Sequence, residues 1–376
     1  MRTRTAVTVA LVATILLSGM AMPVGAVQSI PSGADVEATQ ESCTFPVERT
    51  DASGETLRLE ERPERVTTTN PSAAQTMWEI GGRSQVVGVT RYASYLEGAD
   101  ERTDVSSEFG VSIEEVAGTE PDLVLVPNTT DAEQLQKMRE TGLPVYHLPR
   151  AHSIEDIAAK TTTIGRLTGN CEGAAETNAW MNESVEAARV TVEDDADRPT
   201  VLYPLGSGYV AAGDTFIDEM ISAAGARNVA AENHTGYPQL NAEIILRMDP
   251  EYILITDRES AIIEEEPYAS TTAGQENNTI YVPVQWVNQP APRSVVYTVE
   301  NVSTQLETDS TDATATPTET DDASPVDDGT ETAEPTDSAD EDATAETTAD
   351  DAPGFGPAIA AVAIVVTALL SRRLDR

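Results

Sequence analysis

Residues 112–128 read SIEEVAGTEPDLVLVPN, and the four consecutive apolar residues Leu123 to Val126 inside them decide the fold class. A strand with one wet face alternates apolar and polar residues. An unbroken apolar run of this length, closed by prolines on both sides, is a strand buried on both faces, as in a parallel sheet covered by helices. The neighbouring segments supply the rest of such a unit: helical spacing from Ile113 to Ala117 and from Ala132 to Thr141, then a strand from Val145 to Leu148. Upstream, Arg65 to Thr69 and Val86 to Thr90 read as strands on either side of a helix, Ser72 to Ile80, which opens at Asn70-Pro71-Ser72. Before them, strand-like runs from Phe45 to Leu59 flank the turn signal Asp51-Ala52-Ser53-Gly54 and predict a hairpin.

A second series begins at Thr200. Strands are expected at Val201–Tyr203, Asn228–Ala230, Tyr252–Thr256 and Ile280–Pro283, with helices at Thr215–Ala224 and Asn241–Met248. Between the series, Ser153 to about Glu193 lacks proline and spaces Ile157, Ile164, Leu167, Ala174, Trp180, Val185 and Ala188 as a helix would, although Gly165, Gly169 and Gly173 weaken an unbroken one. The expected architecture is therefore α/β. Two doubly wound, Rossmann-like lobes, residues 65–152 and 199–306, are joined by a long inter-lobe helix within 153–198, and residues 27–64 form an N-terminal segment with the hairpin. Open sheets of this kind bind ligands beyond the carboxyl ends of their strands, so the cleft is expected between the lobes. Asn70, Pro127, Asn128, Gly206, Ser207, Tyr209 and Gln285 fall at such strand ends.

Four segments, in order, resemble a known family. Residues 64–96 contain ERVTTTNPSAAQTMWEIGGRSQVVGVTRYASYL, residues 112–128 are quoted above, residues 236–256 read GYPQLNAEIILRMDPEYILIT, and residues 285–293 read QWVNQPAPR. Together they resemble the periplasmic cobalamin- and iron(III)-siderophore-binding proteins, the class III solute-binding proteins of ABC importers, over roughly Glu64 to Leu306. The resemblance implies a small-molecule ligand held between the lobes and delivered to permease and ATPase subunits, with no cofactor. It matches Tyr92 and Tyr237 to aromatic positions against the ligand and Trp286 to a further aromatic position near the cleft; rigid rings suit that task because they give apolar contact at low entropic cost. Gln285 stands where cobalamin binders often have an acid. Docking in the family uses one exposed Glu per lobe: Glu243 matches in the second, and Glu101 or Asp104 is nominated in the first. A corrinoid is favoured over an iron-siderophore because residues 236–256 and 285–293 look more like the corrinoid binders; siderophores are usually anionic and favour arginines in the cleft, for which Arg91 and Arg258 could serve.

The ends are not part of this body. Arg2 and Arg4, the apolar run Ala6 to Leu17 and the small residues to Ala26 fit a secretory signal, residues 1–26. Residues 307–352, rich in Thr, Asp, Glu, Ala and Ser, cannot bury enough apolar surface to fold and read as a stalk. Residues 353–376 hold Pro353-Gly354-Phe355, an apolar run and a basic end; they resemble an archaeosortase sorting signal, and as a span or through a lipid would tether the protein to the membrane with the body outside. Sequons at Asn128, Asn182, Asn233, Asn277 and Asn301 suit such a surface glycoprotein. Cys43 and Cys171 are a candidate disulfide in an oxidising location.

Charge narrows the function classes. The chain has 23 Lys and Arg against 64 Asp and Glu, a formal net charge of -41. Without a basic patch nucleic acid is not a partner, and self-repulsion of this size is relieved by molar salt, which shortens the Debye length to about 3 Å. A monomer is expected. The three histidines, His147, His152 and His234, form no ligand cluster, and no nucleophile-elbow, Walker or dinucleotide signature is present, so neither an enzyme nor a metal site is expected. A surface adhesin would share the stalk and tether but would need no ligand cleft.

Overall fold

A computed structural model describes residues 43–188, 198–258 and 260–314. The signal, most of the stalk and the sorting signal lie outside those residues. Among the described residues no helix is long and apolar enough to cross a membrane.

The chain opens with an antiparallel hairpin, β1 (Val47–Thr50) and β2 (Thr56–Leu59), around the turn expected at Asp51–Gly54. The first lobe follows: β3 (Val66–Thr68), α1 (Pro71–Glu79), β4 (Val86–Val89), β5 (Thr103–Asp104), a two-residue hairpin β6 (Ser106–Ser107) and β7 (Gly110–Val111), α2 (Ile113–Gly118), β8 (Leu123–Val126), α3 (Ala132–Glu140) and β9 (Val145–His147). Its five-stranded sheet runs β5-β4-β3-β8-β9, every pair parallel. The apolar run in β8 does what its composition requires. Leu123 and Leu125 enter the core under α1, while Val124 and Val126 enter the core under α2 and α3, and all four are fully buried. Each such side chain stabilises the sheet by about 1.5–3 kcal/mol relative to exposure.

Two helices, α4 (Ile154–Thr168) and α5 (Cys171–Ala188), then separate the lobes. The single long helix expected here is thus corrected to a helical hairpin. Gly169 takes a left-handed conformation (φ 72°) that ends α4, and a side chain at Gly165 would strike the Cβ of Ala174, so the glycines serve a sharp turn and close packing of the two helices. Both helices cross between the cores: Ile157 packs in the second lobe and Ile164 and Leu167 in the first, then Ala174 lies in the first and Met181 and Val185 in the second.

The second lobe contains β10 (Thr200–Leu202), α6 (Phe216–Ala223), β11 (Arg227–Asn228), α7 (Ala242–Met248), β12 (Tyr252–Ile255), α8 (Thr272–Glu276), β13 (Thr279–Tyr281), α9 (Val284–Val287) and α10 (Pro292–Thr314). Its parallel sheet runs β11-β10-β12-β13. The long α10, which the sequence reading left out, buries Val295, Val299, Val302 and Leu306 and continues eight residues beyond the point where the stalk was expected to start.

The lobes meet along a polar seam. Glu79 on α1 forms an ion pair with Arg293 at 3.3 Å, Gln75 bonds Ser294 at 3.1 Å, and buried Lys160 on α4 donates to the carbonyl of Pro290. Burial pushes the Glu79 carboxyl up to about 7, against the opposing pull of Arg293. Because the folded pKa exceeds the ordinary value of 4.5, the neutral form's contribution to stability is complete below pH 4.5 and lost as pH rises through 7. Glu79→Gln should flatten that fall, opening a gap from wild type on the order of 3 kcal/mol between pH 4.5 and 8, measured by chemical denaturation across pH.

Candidate functional site: the crevice between the strand crests

The carboxyl ends of both sheets point at the seam. Trp286, just after β13, meets Tyr95, in the segment after β4, edge-on at 5.4 Å between ring centres. His152, five residues past the end of β9, bonds the carbonyl of Asp214 in the loop between β10 and α6 at 2.9 Å. The segments that leave the strands therefore form the two lips of one crevice.

On the first lip, β3 ends in Asn70, whose carboxamide is held by Ser72 at 2.6 Å and caps no helix amide. Tyr92 sits on a short helical turn after β4 and is 45% exposed. Pro127 and Asn128 form the half-buried turn after β8. The sequence reading missed Phe109. It stands at the tip of the β6–β7 hairpin and is 79% exposed. That hairpin is bound to the Tyr92 segment, since Arg91 donates its backbone amide to the Ser106 hydroxyl at 2.9 Å and its guanidinium to the Ser107 carbonyl at 2.8 Å. Two aromatic rings are thus presented from one braced lip, where their ordering cost is already met by the fold.

On the second lip, the loop after β10 and the segment 234–240 are laced by backbone bonds: Val210 to Pro238 at 3.1 Å, Ala212 to Gly236 at 2.9 Å and Leu240 to Gly208 at 2.8 Å. Gly208 must be glycine, because a Cβ would meet the Leu240 carbonyl at 2.9 Å. The lacing brings Ser207 and Tyr209 beside Gln239 and fixes Tyr237, 45% exposed, at the rim. Burial raises the Tyr237 phenol above its ordinary range, opposed by nearby Arg150. Gln285 and Trp286 lie on α9, and the Trp286 ring is enclosed between Tyr95 and Tyr297, 4.8 Å away. The ring is partly buried at the seam, beside the crevice.

The other nominated residues separate. Glu243 is exposed in the first turn of α7 and pairs with Arg247 at 2.7 Å. Glu101 lies on the turn before β5 and, since Thr103 is level with Gly88, stands near the start of β4 and below the crest. Asp104 is occupied: although burial works to raise its pKa, the bonds from Ser106 and the charge of Arg91 hold the carboxyl below its ordinary range. Of the sequons, Asn301 lies inside α10 and donates to the Tyr297 carbonyl at 2.6 Å, Asn182 lies inside α5, and Asn233 and Asn277 are exposed on turns. Cys43 and Cys171 are bonded, with Cα atoms 5.8 Å apart. Among the described residues no cluster of three or more His, Cys, Asp or Glu is arranged to hold a metal. A depression of about 1110 Å³ lies elsewhere, at the starts of β10, β11 and β12. Two of its arginines, Arg227 and Arg247, are spent on Glu232 and Glu243, and it is remote from both lips.

Residues 66–285 match the model of the periplasmic binding protein family, more than half of the chain. The chain belongs to this family. A relative from Halobacterium salinarum, named cobalamin-binding protein, is 42% identical over 298 residues, covering 76% of this binding protein and 80% of the relative. The fold of the binding protein is shared with the vitamin B12 binding protein BtuF of Vibrio cholerae (TM-score 0.54, 23% identity, covering 65% of this chain and 97% of that one). It is shared also with the heme-binding protein RhuT of Roseiflexus sp. RS-1 (TM-score 0.57, 21% identity, covering 64% and 98%). Both neighbours are binding proteins with the fold described above.

Proposed function

We propose that the protein captures a cobalamin-like corrinoid outside the cell, in the crevice between Tyr92 and Phe109 on one lip and Tyr237 on the other, and delivers it to an ABC permease and its ATPase. The observation that supports this most is the 42% identity to the cobalamin-binding protein of Halobacterium salinarum, extending over both lobes. A corrinoid is a large, flat macrocycle fringed with methyl and amide groups, and aromatic residues with a polar tip on opposed, braced lips suit it. The N-terminal leader directs export, and the C-terminal stalk and tail tether the body to the membrane. A surface adhesin would share those ends but would not saturate with a small molecule.

Docking onto the permease involves Glu243 and, in the first lobe, Glu114 in place of Glu101. The two helices that lead into the central buried strands start alike: Ser112 caps α2 by accepting from the amide of Glu115, Asn241 caps α7 by accepting from that of Ile244, and each cap is followed two residues later by an exposed Glu. Charge reversal of Glu114 and Glu243 together should abolish import in cells while leaving the affinity of the purified protein within about twofold, as for rim charges that govern encounter.

The test is a titration of the purified chain in molar salt with cyanocobalamin and with ferric siderophores, followed by heat and tryptophan fluorescence. Saturable one-to-one binding of cyanocobalamin is expected. Preferential binding of a siderophore would replace the ligand assignment, and no binding of either would return the adhesin reading.

A further inference from the structure

The guanidinium groups of this acidic body are nearly all engaged. Among the described residues, Arg58, Arg139, Arg227, Arg247 and Arg293 pair with carboxylates, and others are spent on carbonyls or on the ring of Trp78. Two make no such contact, Arg150 and Arg258, and both are exposed. Both stand three residues beyond the end of a parallel strand, Arg150 after β9 and Arg258 after β12, and so both belong to the crevice.

Arg150 is the better fixed of the two. It lies on the crossover between lobes, flanked by buried Leu148 and Ala151. Two residues on, His152 bonds Asp214; next to Asp214, Gly213 exchanges backbone bonds with His234 and Gly236, and Tyr237 follows. This chain of contacts brings the segment that carries Arg150 and the segment that carries Tyr237 to the same part of the crevice, and the Arg150 charge acts on the Tyr237 phenol. In a chain carrying 41 net negative charges, Arg150 pairs with no carboxylate among the described residues, which leaves its guanidinium available to an incoming anion. Its position is suited to an anionic oxygen arriving with the ligand, which a guanidinium grips in two parallel hydrogen bonds.

We propose that Arg150, with Tyr237, binds the anionic phosphodiester of the corrinoid's nucleotide loop and so selects the complete cobalamin over corrinoids that lack that loop. This rests on the corrinoid reading of the crevice. The Arg150 guanidinium donates to the phosphate oxygens, the Tyr237 hydroxyl donates a further hydrogen bond, and Arg258 adds attraction from the second lip without fixing orientation.

The test compares wild type with Arg150→Gln, each titrated in the same molar salt with cyanocobalamin and with dicyanocobinamide, which keeps the corrin ring but has no phosphodiester. Wild type should prefer cyanocobalamin. Arg150→Gln should lose about tenfold in affinity for cyanocobalamin, the scale of one charged hydrogen-bonding group, and change by less than about twofold for dicyanocobinamide. An equal loss for both ligands, or no loss for either, would overturn the proposal while leaving the corrinoid reading intact. Failure of wild type to bind either corrinoid would remove both. The thermal midpoint of the variant, expected unchanged for an exposed side chain without partners, guards against misfolding as the cause.

Discussion

Tyr92→Ala and Tyr237→Ala should each weaken cyanocobalamin binding by about 10- to 100-fold, and the double variant by the product of the two. Each ring is held half-exposed at a lip, so truncation removes contact area from the complex without opening the core of either lobe. A ring that buries even half its surface against a ligand contributes about 1.5–3 kcal/mol, which is the fold-change stated. The two residues come from different lobes and meet the ligand from opposite lips, so their effects should add. Folding should be spared. The measurement is a set of four titrations with denaturation controls, and the loss should appear mainly in the dissociation rate. No loss in one of the two single variants would mean that only the other lip meets the ligand.

The second large effect falls on stability and leaves binding alone. Cys171→Ser should cost about 2–5 kcal/mol in molar salt, near the upper end because the disulfide closes a long loop. The bond spans 128 residues and ties the start of the described chain to the turn between α4 and α5. That turn lies at the base of the first lobe, where Arg62 reaches the Thr168 carbonyl at 3.0 Å and the Asn170 carboxamide at 2.8 Å, far from the crest. Cyanocobalamin affinity should therefore stay within about twofold while the denaturation midpoint drops. A reducing agent should shift the wild type toward the variant and leave the variant unmoved. The clasp has a second anchor in Asp51. Burial works to raise its pKa, but bonds from Ser53 and the amide of His147, with the charge of Arg139 at 2.6 Å, hold the carboxyl below its ordinary range, so its contribution is lost as pH falls through that lowered value.

Much of this fold was legible because burial on two faces leaves a plain mark in sequence. Leu123 to Val126 needed no partner to be read as a central strand, and the β1–β2 hairpin followed from its turn residues. The inter-lobe segment was misread for a physical reason. Apolar spacing reports which face is buried, and α4 and α5 bury compatible faces against the same two cores, so the spacing runs through the break. Gly165 and Gly173 were the clue: a Cβ on Gly165 would strike Ala174 across the hairpin, and one on Gly173 would collide with the Ile80 carbonyl at the end of α1, so these glycines mark close packing around the turn. The helix α10 was also within reach, since Val295, Val299, Val302 and Leu306 repeat at helical spacing.

The site was legible only in part. Tyr92 and Tyr237 were reached through the resemblance, and the structure puts them on opposite lips. Phe109 was not, because a two-residue hairpin has no periodicity to detect, and what makes it a lip is the pairing of Arg91 with Ser106 and Ser107, fifteen and sixteen residues away. Trp286, an aromatic residue in a matched loop, meets Tyr95 and Tyr297 edge-on at the seam, contacts that local pattern does not express. Arg150 carried no signal at all in the sequence. Its place depends on the crossover meeting the Asp214 loop, a contact between lobes that local pattern cannot express.

The most direct test of the central claim is a crystal structure of the protein grown with cyanocobalamin. One corrin ring is expected between the two lips, with Tyr92 and Phe109 on one side, Tyr237 on the other, and the phosphodiester within hydrogen-bonding distance of Arg150. A corrinoid bound outside the crevice, or a crevice left empty at saturating ligand, would contradict it.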